Sequence, residues 1–352
     1  MHKRATIKEI AEECNVSIAT VSRVFNGSSA VAPRTRELVE EAIKRSGYTP
    51  NALARSLVNN RTMTLGVVVP DISNPYFAAL FTQVEHAALQ AGYTVILLNT
   101  FYVSSTYGQL PPLPETAYFD MLLRRKVDGA LILGGQMDLV KPSADYVDAL
   151  RRLCHGMPVV ALGKEIPDVD AVFIDAENEG GIISAVQYLA SLGHRKIAFV
   201  GGEPGVTITE RRLEAYRSAL SALQLPADER LIATSDYYAK DGYLAAQRLL
   251  AGNCPFTAAL AINDSVAMGL IRALADQKLS VPQDISVISC EQLLNADYAV
   301  PRLTSIDQHS DWLGKLLIQA LLSAINGVGE PAVIRGRPEL IIRESCAPVK
   351  AE

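Results

Sequence analysis

The chain is 352 residues long and 49% apolar, with 33 Lys and Arg against 38 Asp and Glu for a net charge of −5, which provides for two or three globular units with substantial cores. Its apolar runs, such as Leu65–Val69 and Gly129–Gly135, stay at strand length, well short of the ~18 residues that span a bilayer, and the charged N-terminus excludes a secretory signal. The five cysteines (Cys14, Cys154, Cys254, Cys290 and Cys346) have no metal-ligand spacing and read as free thiols of a reducing cytoplasm, so neither metal nor cofactor is expected.

Three short helices open the chain. Thr6 followed three residues later by Glu9 is a capping box, and Ile7, Ile10, Ala11 and Cys14 share one face of the helix it starts. Asn15-Val16 makes a turn, and Ser17 caps a second helix in which Val21, Val24 and Phe25 point inward. Ile18 and Ser22 then fall on one outward row and Ala19, Arg23 and Asn26 on its neighbour, before Gly27 ends the helix. Pro33 opens a third helix, expected to bury Leu38, Val39, Ala42 and Ile43. The outcome is a three-helix core with one helix free to enter a nucleic-acid groove.

Charge supports that partner for this segment only. Residues 1–62 carry ten Lys and Arg against six Glu, a net of +4, which leaves −9 for the remainder. Pro50–Arg61 follows as a linker. Asn51 can cap a helix through Ala52, Leu53, Ala54, Arg55, Ser56 and Leu57, yet about seven residues cannot hold a helix alone in water, so the segment folds when something packs on it.

From Leu65 the rhythm changes to short apolar runs: Leu65–Val69, Thr94–Leu98, Gly129–Leu133, Pro158–Leu162, Lys196–Val200, Ala258–Ile262 and Ile285–Ile288. Helical stretches at Tyr76–Ala91, Asn178–Ser191, Arg212–Leu223, Lys240–Ala251 and Asp264–Gln277 lie between most of them. That alternation predicts parallel sheets covered on both faces, and its length predicts two lobes. The fold class is therefore an N-terminal all-α helix-turn-helix headpiece plus an α/β core of two doubly wound parallel-sheet lobes. Ligands are expected beyond the carboxyl ends of the strands. No G-x-S-x-G, H-E-x-x-H or G-x-x-x-x-G-K-[ST] occurs and the histidines are dispersed, so an enzyme is not expected; His194, in Gly193-His194-Arg195-Lys196, reads as structural.

With both halves in view the chain resembles the lactose-repressor/galactose-repressor (LacI/GalR) family of transcription regulators. The resemblance runs nearly end to end, densest in Ala5–Gly27, Arg34–Arg61 and Gly66–Phe77, with further matches at Gly193–Ile197, Asn263–Gly269 and Val281–Ile288. It implies a periplasmic-binding-protein-like core, a homodimer on a near-palindromic operator, and a small-molecule effector, with no membrane partner. It also implies residues 1–49 as headpiece, 50–62 as hinge, 63–163 with 293–322 as the N-terminal core lobe, and 164–292 with 323–352 as the other.

The DNA-facing set on this reading is Thr6, Ser17, Ile18, Ala19, Thr20, Ser22, Arg23 and Asn26, joined by Asn51, Ala54 and Leu57 of the linker. Arg23 can bond guanine bidentately or contact phosphate. Leu57 stands where family members wedge a leucine between central base pairs. For the effector the resemblance carries over Asn74, Tyr76 and Phe77 from the first lobe, Arg212 and Asp264 from the second, and Gln308 from the crossover; Asp71 stands at the same strand end. Tyr237 offers a stacking face or a core ring.

Two departures bear on the ligand. Ser289-Cys290-Glu291-Gln292 replaces the family's frequent Gly-Phe-Asp-Asp, so Glu291 supplies a longer acceptor, and Gly163-Lys164 replaces the Asp-Arg of many sugar binders. A sugar, sugar phosphate or nucleobase-like effector all stay open. So does the role of Phe101–Thr116, lid or solvated loop. The competing readings are a two-lobed solute receptor and an architectural DNA-binding protein without effector.

Overall fold

The computed structural model describes residues 6–25, 30–46, 61–100, 113–175, 179–252, 254–292, 296–307, 312–329 and 338–350. Contacts divide the chain into two units, Met1–Met63 and Thr64–Glu352.

In the first unit the Thr6 backbone N–H donates to Glu9 Oε2 at 2.7 Å and the Glu9 N–H returns to Thr6 Oγ1 at 3.3 Å, closing the capping box of α1 (Ile7–Glu13). Asn15 turns the chain with a φ of 49°, and Ser17 Oγ accepts the Thr20 N–H at 3.1 Å at the start of α2 (Ile18–Phe25). With α3 (Pro33–Ser46) these helices bury Ile10, Ala11, Cys14, Val21, Val24, Val39 and Ala42 together, Ile7 and Ile43 packing partly buried against them. Leu38 departs from expectation: it is 46% exposed. It stands about 100° round the helix from Val39, outside the stripe that Val39, Ala42 and Ile43 define.

The second unit holds two sheets. The first has the order β2-β1-β3-β4-β5, from β1 (Thr64–Val69), β2 (Thr94–Asn99), β3 (Gly129–Ile132), β4 (Val159–Leu162) and β5 (Val172–Ile174), all parallel. Helices α4 (Pro75–Gln90), α5 (Glu115–Arg125) and α6 (Ala144–Gly156) alternate with its strands. The second sheet runs β11-β10-β9-β8-β6-β7, from β6 (Ile197–Val200), β7 (Ile232–Ala233), β8 (Ala258–Ala261), β9 (Ser286–Ser289), β10 (Thr304–Asp307) and β11 (Glu339–Ile341). It is parallel except at β11. Its helices are α7 (Gly180–Ser191), α8 (Thr207–Ala222), α9 (Ala239–Ala251) and α10 (Asp264–Asp276). Strands β3, β4, β6, β8 and β9 are buried throughout, as strands covered on both faces must be.

The crossovers differ from the expected lobe boundaries. Strand β5 pairs with β4, so residues 172–174 stay in the first sheet rather than opening the second lobe at 164. Strand β10 pairs with β9 and β11, so residues 304–307 belong to the second sheet rather than the first lobe. Helix α11 (Leu313–Asn326) returns to pack on α4, β3 and β4, carrying residues 323–326 with the first lobe. β5 has only three residues and β10 is mostly polar, so their register partners, not their composition, decide where they lie. Residues 50–60 of the hinge expected at 50–62 and most of the Phe101–Thr116 stretch fall outside the described residues.

Candidate functional site

The first candidate surface is the outer side of α2. Ile18 is 49% exposed, an apolar side chain turned to solvent, whereas Val21 and Val24 on the same helix are buried. Thr6, Ser17, Ala19 and Arg23 are exposed as well, while Thr20 and Ser22 are half-buried. The Ser17 and Thr20 hydroxyls lie 2.9 Å apart at the helix start. Asn26, Asn51, Ala54 and Leu57 lie outside the described residues.

The second is a cleft of about 570 Å³ within the core unit. It lies where the strands end: Pro70 and Asp71 follow β1, Leu133 follows β3, Gly163 and Lys164 follow β4, Glu203 lies past β6, Asn263 follows β8, and Asp307 closes β10. Asp71, Asn74, Tyr76, Phe77, Arg212, Tyr237 and Glu291, seven of the expected effector residues, line it together. Two remain. Gln308 lies outside the described residues. Asp264 is buried at the first residue of α10 and is not among the lining residues; its neighbour Asn263 takes that place. As N-cap, Asn263 accepts the Val266 N–H at 2.9 Å and donates Nδ2 to the Tyr237 carbonyl at 3.0 Å, which holds the Tyr237 loop at the cleft.

Several expected ligand groups are committed to the protein itself. Asn74 Oδ1 caps α4 by accepting the Tyr76 N–H at 3.0 Å. Asp71, buried, accepts the Ser73 N–H and hydroxyl, each at 2.8 Å, and the Tyr238 hydroxyl donates to it from the second lobe. That bond, with the Val140 N–H donating to the Gly205 carbonyl at 2.9 Å, ties one lobe to the other. Arg212 is buried and donates Nη1 to the Ile262 carbonyl at 2.7 Å. Its neighbour Arg211 spans Asp175, at 2.9 and 2.8 Å, and Glu179. The Tyr237 hydroxyl lies 2.7 Å from that of Thr209, leaving its ring as the lining surface, and Tyr76 and Phe77 meet edge to face at 5.2 Å.

Sequence reasoning missed Tyr238, Arg211, Asn263, Glu203, Asp307, Asp138 and Trp312. Tyr238, Arg211 and Asn263 each adjoin a residue the sequence does single out, which is a usable signal. Asp138 and Trp312 have none. Asp138 reaches the cleft on a short 3-10 turn, Gly135–Asp138, where burial pushes its carboxyl up to about 7. Trp312 is the N-cap residue of α11, and its indole nitrogen is buried without a hydrogen-bond partner among the described residues.

A helix-turn-helix headpiece in one unit and a strand-end ligand cleft between two parallel-sheet lobes in the other define a ligand-responsive DNA-binding regulator. Residues 6–51 match the bacterial regulatory proteins of the lacI family, and residues 186–346 match the periplasmic binding protein-like domain. The chain is 35% identical over 344 residues to the HTH-type transcriptional repressor PurR of Escherichia fergusonii, and 34% identical over 346 residues to that of Klebsiella pneumoniae, with 97% of both chains covered in each case. Among solved structures it is similar to the lac repressor dimer bound to operator and the anti-inducer ONPF (TM-score 0.83, 25% identity, 98% of this chain and all of that one). It is also similar to the transcriptional regulator CelR–cellobiose complex (TM-score 0.68, 29% identity, 97% of this chain and all of that one). A LacI-family regulator from Enterococcus faecium with bound ribose gives a TM-score of 0.68 at 30% identity over 82% of this chain and all of that one. The chain belongs to the lacI family of bacterial regulatory proteins. It is a transcriptional regulator, not an enzyme.

Proposed function

We propose that the protein is a cytoplasmic repressor, nucleoid-associated when DNA-bound, which binds a near-palindromic operator as a homodimer and whose grip on DNA is set by a neutral, hydroxyl-rich effector, a sugar or nucleoside. The observation that carries the effector class is the balance of the cleft. Among the described residues six carboxyl side chains line it, from Asp71, Asp138, Asp175, Glu203, Glu291 and Asp307, beside the rings of Tyr76, Phe77, Tyr237, Tyr238 and Trp312. Arg211 and Arg212 are held by protein acceptors, and Lys164 stands exposed at the rim. Carboxylates accept hydrogen bonds from hydroxyls, and aromatic faces suit the C–H side of a sugar or the plane of a base. A phosphate would meet acid where it needs uncommitted cations, which argues against the sugar-phosphate option. Cellobiose and ribose, bound by the two similar regulators, belong to the favoured class.

DNA reading rests on the exposed row Ile18, Ala19 and Arg23. Ile18 and Ala19 can meet thymine methyls, and the Arg23 guanidinium can bond a guanine edge. The test is the full chain with an operator selected from random duplexes, titrated with D-ribose, cellobiose, adenosine and ribose 5-phosphate. A neutral compound is expected to raise the melting temperature by several degrees at saturation and to change operator affinity at least tenfold. Response to ribose 5-phosphate alone refutes the class, and stabilisation without any change in DNA binding refutes the control.

A further inference from the structure

The indole nitrogen of Trp312 is a buried hydrogen-bond donor with no acceptor among the described residues. Such groups are rare in folded proteins, and an indole N–H has no second role as acceptor. The ring lines the effector cleft. Three other lining residues spend donors on the protein itself: Arg212 Nη1 on the Ile262 carbonyl at 2.7 Å, Asn263 Nδ2 on the Tyr237 carbonyl at 3.0 Å, and Arg211 on Asp175 and Glu179. Ionised carboxylates there can only accept, while Asp138, raised by burial to about 7, is partly protonated near neutrality. A ligand whose hydroxyls donate to the carboxylates therefore also needs a donor for its ring oxygen, carbonyl or ring nitrogen, and Trp312 holds one in readiness.

The position is also held rigidly. Trp312 begins α11, and two residues on the Gly314 N–H donates to Gln83 Oε1 of α4 at 3.2 Å. The helices approach so closely there that a Cβ on Gly314 would lie 2.4 Å from that of Gln83. Helix α4 carries Asn74, Tyr76 and Phe77 at its N-terminus, about two turns before Gln83. The donor is thus fixed relative to the aromatic side of the cleft before any ligand arrives.

We infer that Trp312 is a specificity-determining residue of the effector site, its indole N–H donating to an acceptor atom of the bound ligand. The inference rests on the reading of the cleft as the effector site. Trp312 is the sole tryptophan of the chain, which makes its emission a reporter of the cleft and permits an isosteric test. Full-length parent, Trp312→Phe and Trp312→Leu are titrated calorimetrically with D-ribose, cellobiose and adenosine. In a fourth sample 3-benzothienylalanine replaces the tryptophan biosynthetically, exchanging the N–H for sulfur within the same bicyclic outline.

Saturation with whichever probe binds is expected to change the parent's tryptophan emission. The phenylalanine and benzothienyl proteins are expected to bind that probe about fivefold more weakly, the affinity of one neutral hydrogen bond, and the leucine variant more weakly still. Benzothienyl protein that binds within twofold of the parent overturns the donor role, and with a weak leucine variant it reduces Trp312 to a packing face. Failure of all three probes to bind overturns the effector reading itself, and the inference with it.

Discussion

Glu115 is 3% exposed, and its Oε2 accepts the Gln136 N–H at 3.0 Å beneath the turn that carries Asp138 to the cleft. The turn approaches so closely that a Cβ on Gly135, which has a φ of 86°, would lie 2.6 Å from Glu115 Oε1. Burial raises the Glu115 carboxyl from 4.5 to about 7, with the Asp138 charge adding to the rise. The folded protein thus holds this proton through a window in which the unfolded chain has lost it. Stability from this group is complete below pH 4.5 and lost as pH rises through about 7. Glu115→Gln keeps an acceptor for Gln136 and removes the charge. It is expected to melt several degrees above the parent at pH 8 and level with it at pH 5, checked by differential scanning calorimetry across that range. His194 has the opposite sign. It bridges Thr257 at 2.9 Å and Ser286 and the Ala347 carbonyl at 3.0 Å, and burial lowers its pKa from 6.5, so its contribution is lost as pH falls below 6.5. These bonds give it the structural role that Gly193-His194-Arg195-Lys196 suggests.

Among the elements, the pairing of α9 with α10 depends on two glycines. A Cβ on Gly269 would lie 1.9 Å from the Ala239 carbonyl oxygen and 2.6 Å from the Tyr243 nitrogen, and one on Gly242 would lie 2.5 Å from the Val266 carbonyl. These neighbours are backbone and cannot swing aside, so the helices themselves would have to part. Gly269→Ala is expected to cost about 3 kcal/mol or more, read as a lower urea midpoint with unchanged slope, whereas Gly329→Ala, with open space around it, is expected to leave the midpoint within error. The longer elements were legible because their signals are local: the Thr6–Glu9 box, the Ser17 cap, and apolar runs that became strands buried on both faces. Strand β7 has two residues, and β10 reads Thr-Ser-Ile-Asp, so neither contains a period to detect. They exist because a neighbouring strand presents a ladder at the right register. The exposure of Leu38 has the same origin, since propensity places it in α3 but only the packing of three helices fixes which stripe is covered.

For the whole molecule, the surface offers one candidate face for a dimer contact. Tyr298 is 85% exposed and Val300 90% exposed, neighbours in the segment between β9 and β10. Large apolar side chains so close together and so open to solvent are expected to be covered by a partner. The double variant Tyr298→Asp, Val300→Asp is expected to shift the full chain toward monomer in sedimentation at micromolar concentration and to weaken operator binding at least tenfold, since each headpiece addresses one half-site. An unchanged dimer would place the interface elsewhere. The sequence by itself determined what is local: the headpiece with its caps, the charge asymmetry between the chain's two parts, the βα alternation, and the strand ends that line the cleft. Only the tertiary structure decided what depends on side chains distant in sequence. It spent Asp71 on Ser73 and on Tyr238 across the cleft, drew Arg212 onto a carbonyl, replaced Asp264 by Asn263, and brought Trp312 and Asp138 into the site. Periodicity and caps follow from one segment's backbone geometry, whereas the partner of a buried polar group is set by whatever the fold brings within 3 Å of it.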